Sequence, residues 1–326
     1  MAELPKYVVR DGELIAYQPI EMNTTVYMFM LDSDWDSLQA LCDHCLNLPG
    51  SKTVYRPLLP FAMFYASTID NREVNDPKGW CAEVDFGFWI PCSAGHIEGS
   101  EYKIDRFLVF TPNLWVDNGI ALVGGRTMFG YPKEIARFTM PAQPSDPAVF
   151  TVDTQVLPKY GPNERVVWRR LIEASKIDAS PWQELKQIWS GGENILNAIE
   201  DVLNQHGPGR YPVPTIQLVM QLMRDFGKTM PNVYLKQFPD IVDGHNACYQ
   251  AICEAPITIT SGIKGGFLFG DFAVRIHNYE SHQLVKSLGL KYDSQDGDVY
   301  TIKSLVHGWT QFSAIVEPGT IIYQPT

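Results

Sequence analysis

Short apolar runs separated by turn residues are the feature that most constrains how the first 160 residues can fold. These runs are TTVYMFMLD, PLLPFAMFYAST, EVDFGFWIPCSA, RFLVFTPNLWV and GIALVGG. Each is short, rich in β-branched or aromatic residues, and bounded by Gly, Pro, Asn or Asp, which is typical of strands joined by tight turns. The pattern predicts a mostly antiparallel sheet or barrel.

Two other patterns predict helices. The early stretch DSDWDSLQALCDHCLNL places Trp35, Leu38, Leu41, Cys42 and Cys45 near one helical face. After about Glu164, three segments have apolar residues at helical spacing: VVWRRLIEASKI, PWQELKQIWSGGENILNAIEDVLNQHG and TIQLVMQLMRDFGKTM. Strand character returns from PNVYLKQF onward. We therefore predict one domain over residues 1–326, of mostly β (α+β) class, with a helical insertion over 164–228.

Composition and motifs exclude several classes of function. The net charge of −11, with no local basic patch, argues against binding to nucleic acid or to an anionic membrane. No apolar run is long enough to cross a bilayer and the N-terminus lacks a signal-peptide pattern, which predicts a cytoplasmic protein. The CxxC pair Cys42 and Cys45 has no second CxxC pair, and the histidines form no HxH or HxxxH pair. We expect buried free cysteines, no metal site and no cofactor.

Lys133, in GRTMFGYPKEIARF, is the residue with the most unusual surroundings. Met128, Phe129, Tyr131 and Ile135 would desolvate its amine, and a desolvated lysine can attack a carbonyl to form a Schiff base. The resulting imine withdraws electrons and permits decarboxylation, aldol chemistry or proton exchange at the adjacent carbon. Spacing alone favours an ordinary surface lysine instead, because lysines are seldom buried.

The segment NGIALVGGRTMFGYPKEIARF resembles the active-site segment of the acetoacetate decarboxylase family. The family pattern is an apolar strand ending in Gly-Arg, a short spacer and then aromatic-Pro-Lys-Lys, which Gly125, Arg126, Tyr131, Pro132 and Lys133 match. Similar likenesses run through LDSDWDSLQAL, DFGFWIPCSAGHIEGSEY, MPNVYLKQFPDI and ACYQAICEAPITITSG, and they cover most of the chain outside 164–228. The resemblance implies an antiparallel β-barrel or cone, a homo-oligomer, and a Schiff-base lysine acting on a small oxo acid.

The same comparison shows departures from the family. Glu134 replaces the second lysine, the cation that activates the nucleophile in acetoacetate decarboxylase. It is either a general acid/base or a structural residue, since on a strand it would point away from Lys133. The first-strand arginine corresponds to Thr24 and one pocket glutamate to Ala62. The other glutamate corresponds to Asp85, which is either a proton-transfer or imine-orienting group or a carboxylate in a turn.

Four further residues are candidates for contacting the substrate. Arg126 would bind a carboxylate or tie neighbouring loops together. Phe129 and Tyr131 would line the pocket or pack in the core, and Gln250 corresponds to a polar pocket residue of the family.

Three functions remain open at this point. The first is a Schiff-base-forming lyase that decarboxylates a β-keto acid or another oxo acid. The second uses the same imine for aldol condensation or dehydration, and the third is a non-catalytic protein that binds a small molecule.

Overall fold

A computed structural model describes residues 5–11, 17–144, 146, 148–178, 189–190 and 229–325. The strands are β1 (Ile20–Asp32), β2 (Val54–Pro57), β3 (Phe61–Glu73), β4 (Cys81–Glu98), β5 (Glu101–Val116), β6 (Lys133–Thr139), β7 (Val149–Val156), β8 (Val167–Lys176), β9 (Trp189–Ser190), β10 (Thr229–Pro239), β11 (Ala247–Phe267), β12 (Phe272–His277), β13 (Ser294–Asp296), β14 (Val299–Lys303), β15 (Val306–Val316) and β16 (Thr320–Tyr323). The helices are α1 (Trp35–Cys45), α2 (Gly119–Gly124) and α3 (Leu284–Ser287), and a π-helical turn, Gly125–Phe129, follows α2. The predicted mostly β class is confirmed.

Seven strands form a closed ring of hydrogen-bonded neighbours. Going round the ring, β1 pairs with β3, β3 with β4, β4 with β5, β5 with β10, β10 with β11, β11 with β15, and β15 with β1. A second series, β6, β7, β8, β12, β14 and β13, continues the sheet from β5. Most pairings are antiparallel, as predicted, but β5 is parallel to both β6 and β10.

The two faces of the ring strands bury different side chains. On one face, Phe29, Phe64 and Phe88 occupy one row across β1, β3 and β4 and belong to the main hydrophobic core. On the other face, Val26 and Leu114 belong to a separate small cluster. Because successive residues of a strand point to opposite faces, burial of both faces explains why the apolar runs are nearly continuous.

Helix α1 forms where the sequence predicts it. Its N-cap residue is Asp34, whose carboxylate accepts a hydrogen bond from the Ser37 amide at 2.8 Å. Cys42 on its inner face is fully buried, 3.8 Å from Cys92 between the sulfur atoms, and both are free thiols. None of the helices in the described residues is long and apolar enough to cross a membrane.

The predicted helical segment over 164–228 is wrong in its first part. VVWRRLIEASKI forms strand β8, held between β7 and β12 by antiparallel pairing. Leu171 and Ile172 are buried, and Arg170 forms a cross-strand ion pair with Asp153, 2.6 Å from Nε to Oδ1. Pairing on both sides therefore overrides a spacing that fits a helix equally well. The rest of the predicted insertion lies outside the described residues, apart from β9.

The prediction of a strand at GIALVGG is also wrong. This stretch is helix α2, and the Asn118 side chain caps it by accepting a hydrogen bond from the Ala121 amide at 2.8 Å. The helix continues into the π-helical turn, which ends at Gly130 in the left-handed region with φ of +92°. Asn118 was a helix-start signal that the apolar run concealed. This helical turn, rather than a strand, leads the chain to Lys133.

Candidate active site

A cavity of about 150 Å3 lies against the inner face of the ring, at its junction with β6. Most of its lining is apolar. The polar or ionisable side chains that line it are Thr24, Tyr65, Asn71, Cys81, Glu83, Asp85, Tyr131, Lys133 and Asn232. A cavity of about 150 Å3 is large enough for benzene, so this one suits a ligand of about six non-hydrogen atoms.

Lys133 reaches the cavity because it is the first residue of β6. Its register partner on the parallel strand β5 is Leu114, which also lines the cavity. The backbone is fixed there by a hydrogen bond from Arg126 Nη1 to the Lys133 carbonyl oxygen at 3.0 Å. Lys133 is only 6% exposed, so it is a buried amine and not a surface cation.

Gly125 provides the space that the lysine side chain occupies. A Cβ atom at this position would lie 2.6 Å from Lys133 Cε and 3.2 Å from Nζ, and closer still to Cδ. Real Cβ atoms essentially never come that close to another heavy atom. The absence of a side chain at Gly125 therefore sets the position of the Lys133 amine.

Glu83 is the direct partner of the lysine. Its Oε2 atom lies 3.0 Å from Lys133 Nζ, and the two residues are 9% and 6% exposed. Such a pair is held by strong attraction in a poorly solvated site, but both groups have lost their hydration. Removing one partner would leave the other as an uncompensated buried charge.

Asp85 is two residues further along β4 and therefore faces the same cavity. Burial raises the pKa of Asp85 to about 7, and the negative charge of Glu83 adds to the increase. Lys133 and a short hydrogen bond from the Ser67 hydroxyl act in the opposite direction. A carboxyl group with this pKa can both donate and accept a proton near neutral pH.

Aromatic residues close the cavity around these charges. Tyr131 lies beside the lysine, with Nζ 5.8 Å from its ring centre, and shares a 2.7 Å hydrogen bond with the Tyr234 hydroxyl. Phe129 packs against Tyr131 with ring centres 5.8 Å apart. Burial raises the pKa of Tyr65 and of Tyr131, so both remain protonated phenols. Phe129 and Tyr131 both line the cavity.

The structure does not bring three of the sequence candidates into the cavity. Glu134 points to the opposite face of β6, where its 46% exposed side chain accepts a hydrogen bond from His282 Nε2 at 2.9 Å. Arg126 is exposed and binds the Lys133 carbonyl, and Gln250 bonds to the Gln237 side chain on β10. The placement of Glu134 fits its structural interpretation and removes the geometric basis for a general acid/base. Arg126 ties neighbouring segments together.

The sequence analysis does not identify Glu83, and it assigns one pocket glutamate of the family to Ala62. Ala62 lies on β3, is fully buried and belongs to the main core. The signal was nevertheless present: Glu83 and Asp85 are separated by one residue in a strand, and period-two alternation places both on one face. Thr24 does line the cavity, and its buried hydroxyl has no hydrogen-bond partner among the described residues.

Replacing Glu83 with glutamine is expected to lower the free energy of unfolding by about 3 kcal/mol, because it leaves the Lys133 ammonium buried without a counter-charge. Adding Lys133→Met to this variant should cost less than the sum of the two single changes, since the two residues interact directly. Urea denaturation measures both.

Glu21→Gln is a matched control, because Glu21 pairs with Arg72 across neighbouring strands but both side chains are about one-third exposed. Its expected effect is below about 1 kcal/mol. Equal losses for Glu83→Gln and Glu21→Gln would show that burial adds nothing to the Lys133 pair.

Comparison with known proteins gives the same fold. A structure titled acetoacetate decarboxylase from Legionella pneumophila is 15% identical, with a TM-score of 0.56, covering 98% of this chain and 92% of that one. The enduracididine biosynthesis enzyme MppR, complexed with the condensation product of pyruvate and imidazole 4-carboxaldehyde, is 14% identical, with a TM-score of 0.52 and coverage of 96% and 92%. An acetoacetate decarboxylase-like enzyme from Sphingomonas wittichii is 14% identical, with a TM-score of 0.52 and coverage of 94% and 93%. The fold is therefore that of the acetoacetate decarboxylase-like proteins.

Sequence comparison matches part of the chain to one protein family. The model described as acetoacetate decarboxylase (ADC) matches residues 7–156, a range that includes Glu83, Asp85 and Lys133. Comparison with curated proteins gives no match. This match covers slightly less than half of the chain, and with the fold it makes the chain similar to the acetoacetate decarboxylase-like proteins.

Proposed function

We propose that this protein is an enzyme that forms a Schiff base between Lys133 and the carbonyl group of a small aldehyde, ketone or oxo acid. The observation that carries the proposal is a buried amine in a largely apolar cavity, 3.0 Å from one carboxylate and facing a second. Such a site keeps bulk water away from the amine and supplies proton-transfer groups beside it.

Imine formation requires the amine to lose a proton and the carbonyl oxygen to leave as water. Glu83 is placed to take the proton from Lys133, since its Oε2 atom is already in hydrogen-bond contact. The freed nitrogen lone pair forms the C–N bond to the carbonyl carbon. Asp85 in its acid form then protonates the resulting alkoxide to a hydroxyl group. Glu83 passes its proton to this hydroxyl group, which departs as water, and Glu83 takes one of the two remaining protons from the nitrogen. The products are water, a protonated imine with one N–H, Asp85 as a carboxylate and Glu83 in its acid form.

The protonated imine makes the adjacent carbon reactive. Asp85, now a carboxylate, accepts a proton from that carbon, and the electron pair of the C–H bond moves towards the imine nitrogen to give an enamine. Glu83 remains next to the nitrogen, which is neutral in the enamine. The enamine then takes up a proton or attacks a second carbonyl group.

Two reactions follow from this imine. One is loss of CO2 from a β-keto acid, the reaction implied by the resemblance to acetoacetate decarboxylase. The other is aldol condensation or dehydration, supported by the two carboxylates at the amine and by the condensation product bound in MppR. Location in the cytoplasm and assembly into a homo-oligomer belong to the same proposal and rest on the family resemblance and the sequence.

Covalent trapping tests the proposal. Incubation with small carbonyl compounds and cyanoborohydride should add the mass of the reduced imine to the peptide that contains Lys133. A panel of aldehydes, ketones and oxo acids that leaves this peptide unmodified would favour the non-catalytic binding protein. CO2 release during turnover separates decarboxylation from aldol chemistry.

Asp85→Asn is expected to slow deuterium exchange at the α-carbon of a small ketone by about a hundredfold or more, because the proton acceptor is lost. In the unchanged protein the rate should be greatest near pH 7, where both the acid and the carboxylate form of Asp85 are present. NMR in D2O measures the exchange, and Asp85→Glu should restore part of it.

The same variant should be more stable than the unchanged protein at high pH. A carboxyl pKa raised from 3.8 to about 7 means that its ionised form is disfavoured by folding. This cost is absent below pH 3.8, grows up to about pH 7 and is constant above it. Asp85→Asn should thus raise the free energy of unfolding by roughly 2–4 kcal/mol at pH 8 and by less at pH 5. Asp70→Asn, at an exposed position on β3, is the control, and equal effects at both pH values would contradict the assignment.

A further inference from the structure

The described side chains that line the cavity include more acidic groups than basic ones. Glu83 and Asp85 both line it, and Lys133 is the one cationic side chain among the described residues of its wall. Lys133 is already paired with Glu83 at 3.0 Å. Transfer of the amine proton to Glu83 removes one positive and one negative charge together, so an ionised Asp85 still leaves the cavity with a net negative charge.

The nearby cations have other partners. Arg126 is exposed and donates to the Lys133 carbonyl oxygen. Lys236 donates to the Met128 carbonyl oxygen at 3.0 Å. Arg72 pairs with Glu21 at 2.7 Å and lies over the Trp80 ring. None of the three lines the cavity.

Polar lining elsewhere in the cavity is uncharged. The Thr24 hydroxyl faces it from β1 without a hydrogen-bond partner among the described residues, and Asn232 faces it from β10. These groups suit a hydroxyl or carbonyl oxygen. A substrate carboxylate would instead be placed in an apolar cavity with Glu83 and Asp85 and, among the described residues, without a free cation, which is strongly unfavourable.

We propose that the substrate which forms the imine is an uncharged aldehyde or ketone of about six non-hydrogen atoms, and not the anion of an oxo acid. This inference rests on the proposed function, because it concerns the compound that Lys133 attacks. It differs from the oxo acid implied by the family resemblance. An uncharged carbonyl compound has no carboxylate to lose, so the chemistry is transfer of the α-proton to Asp85 followed by attack of the enamine on a second carbonyl carbon, or the reverse cleavage.

The discrimination between neutral and anionic substrates should depend on pH. The groups that face Asp85 come from several elements: Glu83 on β4, Tyr65 and Ser67 on β3, Asp117 after β5, Tyr131 before β6 and Lys133 on β6. Protonation of Asp85 below about pH 7 removes one of the negative charges. The penalty for an anionic substrate should therefore become smaller as the pH falls.

Pyruvate and pyruvamide provide the test, because they have nearly the same shape and differ by one negative charge. Cyanoborohydride trapping at Lys133 is measured for each, and the rate at the exposed Lys52 in the same sample corrects for intrinsic reactivity. Taking the ratio of the two compounds cancels the effect of pH on the amine itself. We expect pyruvamide to react at least about tenfold faster than pyruvate at pH 8, as expected for like charges in a poorly solvated site.

Asp85→Asn distinguishes the charge effect from shape. The pyruvamide-to-pyruvate ratio should fall between pH 8 and pH 6 in the unchanged protein, and in this variant it should be lower and independent of pH. A corrected ratio of one or below at pH 8 would overturn the inference while leaving Schiff-base formation intact. Absence of any adduct at Lys133 with either compound, or with the wider carbonyl panel, would overturn the proposed function itself.

Discussion

Lys133→Arg is expected to reduce covalent trapping of carbonyl compounds to background and to lower turnover by at least about a thousandfold. Arginine keeps the positive charge and the pairing with Glu83, but its guanidinium group stays protonated and does not form an imine. Mass spectrometry of the trapped protein measures the adduct directly. Lys133→Met, which has a similar length and no amine, should give the same result without requiring space for the larger arginine group.

Lys236→Arg is the matched control for this experiment. Lys236 is a half-buried lysine close to the same turn, but it binds the Met128 carbonyl oxygen and does not line the cavity. Its replacement should leave the adduct at Lys133 unchanged. An adduct that persists in Lys133→Met and disappears in Lys236→Arg would show that Lys236, and not Lys133, is the nucleophile.

Gly125→Ala is expected to lower the rate of imine formation by about a hundredfold. The new Cβ atom would overlap the end of the Lys133 side chain, 2.6 Å from Cε, so the amine must move away from Glu83. A displacement of about 1 Å at a reacting group can cost a factor of about 100 in rate. The backbone should be little affected, because the atoms that must move belong to one flexible side chain.

Gly119→Ala serves as the control, since an added Cβ at this first residue of α2 meets no atom within 4 Å. Trapping rates and urea denaturation are measured on both variants. We expect Gly119→Ala to unfold within about 1 kcal/mol of the unchanged protein. Gly125→Ala should lose reactivity and up to about 3 kcal/mol, because the buried Lys133–Glu83 pair is disrupted. If the two variants react at the same rate, Gly125 does not position the amine.

Much of this fold follows from local sequence rules. The strands that contain TTVYMFMLD and EVDFGFWIPCSA lie where these apolar and aromatic runs predict them, and α1 begins after the capping residue Asp34. Strand alternation alone also anticipated that Lys133 and Glu134 would point in opposite directions, as their different burial shows. These features depend on neighbours along the chain, so a single sequence contains them.

The features that the sequence did not predict depend on partners far away in the chain. Helix α2 is not predicted, because GIALVGG fits a buried strand as well as a short helix. Strand β8 is not predicted, because its apolar spacing also fits a helix and only its pairing with β7 and β12 makes it a strand. The contact between Glu83 and Lys133 joins residues 50 positions apart through the register of β4, β5 and β6. No local pattern specifies such a register.

Side chains of β4 point alternately to the cavity and to the main core, and this arrangement favours the correct register of the strand. Glu83 and Asp85 point into the cavity. Phe86, the next residue after Asp85, points to the other face and packs in the main core. A slip of β4 by one residue would send both carboxylates into the phenylalanine core and a large aromatic ring into the cavity. Burying two unpaired carboxylates among apolar rings is so costly that misregistered pairings are disfavoured. The residues assigned to chemistry thereby also help this strand to select its register during folding.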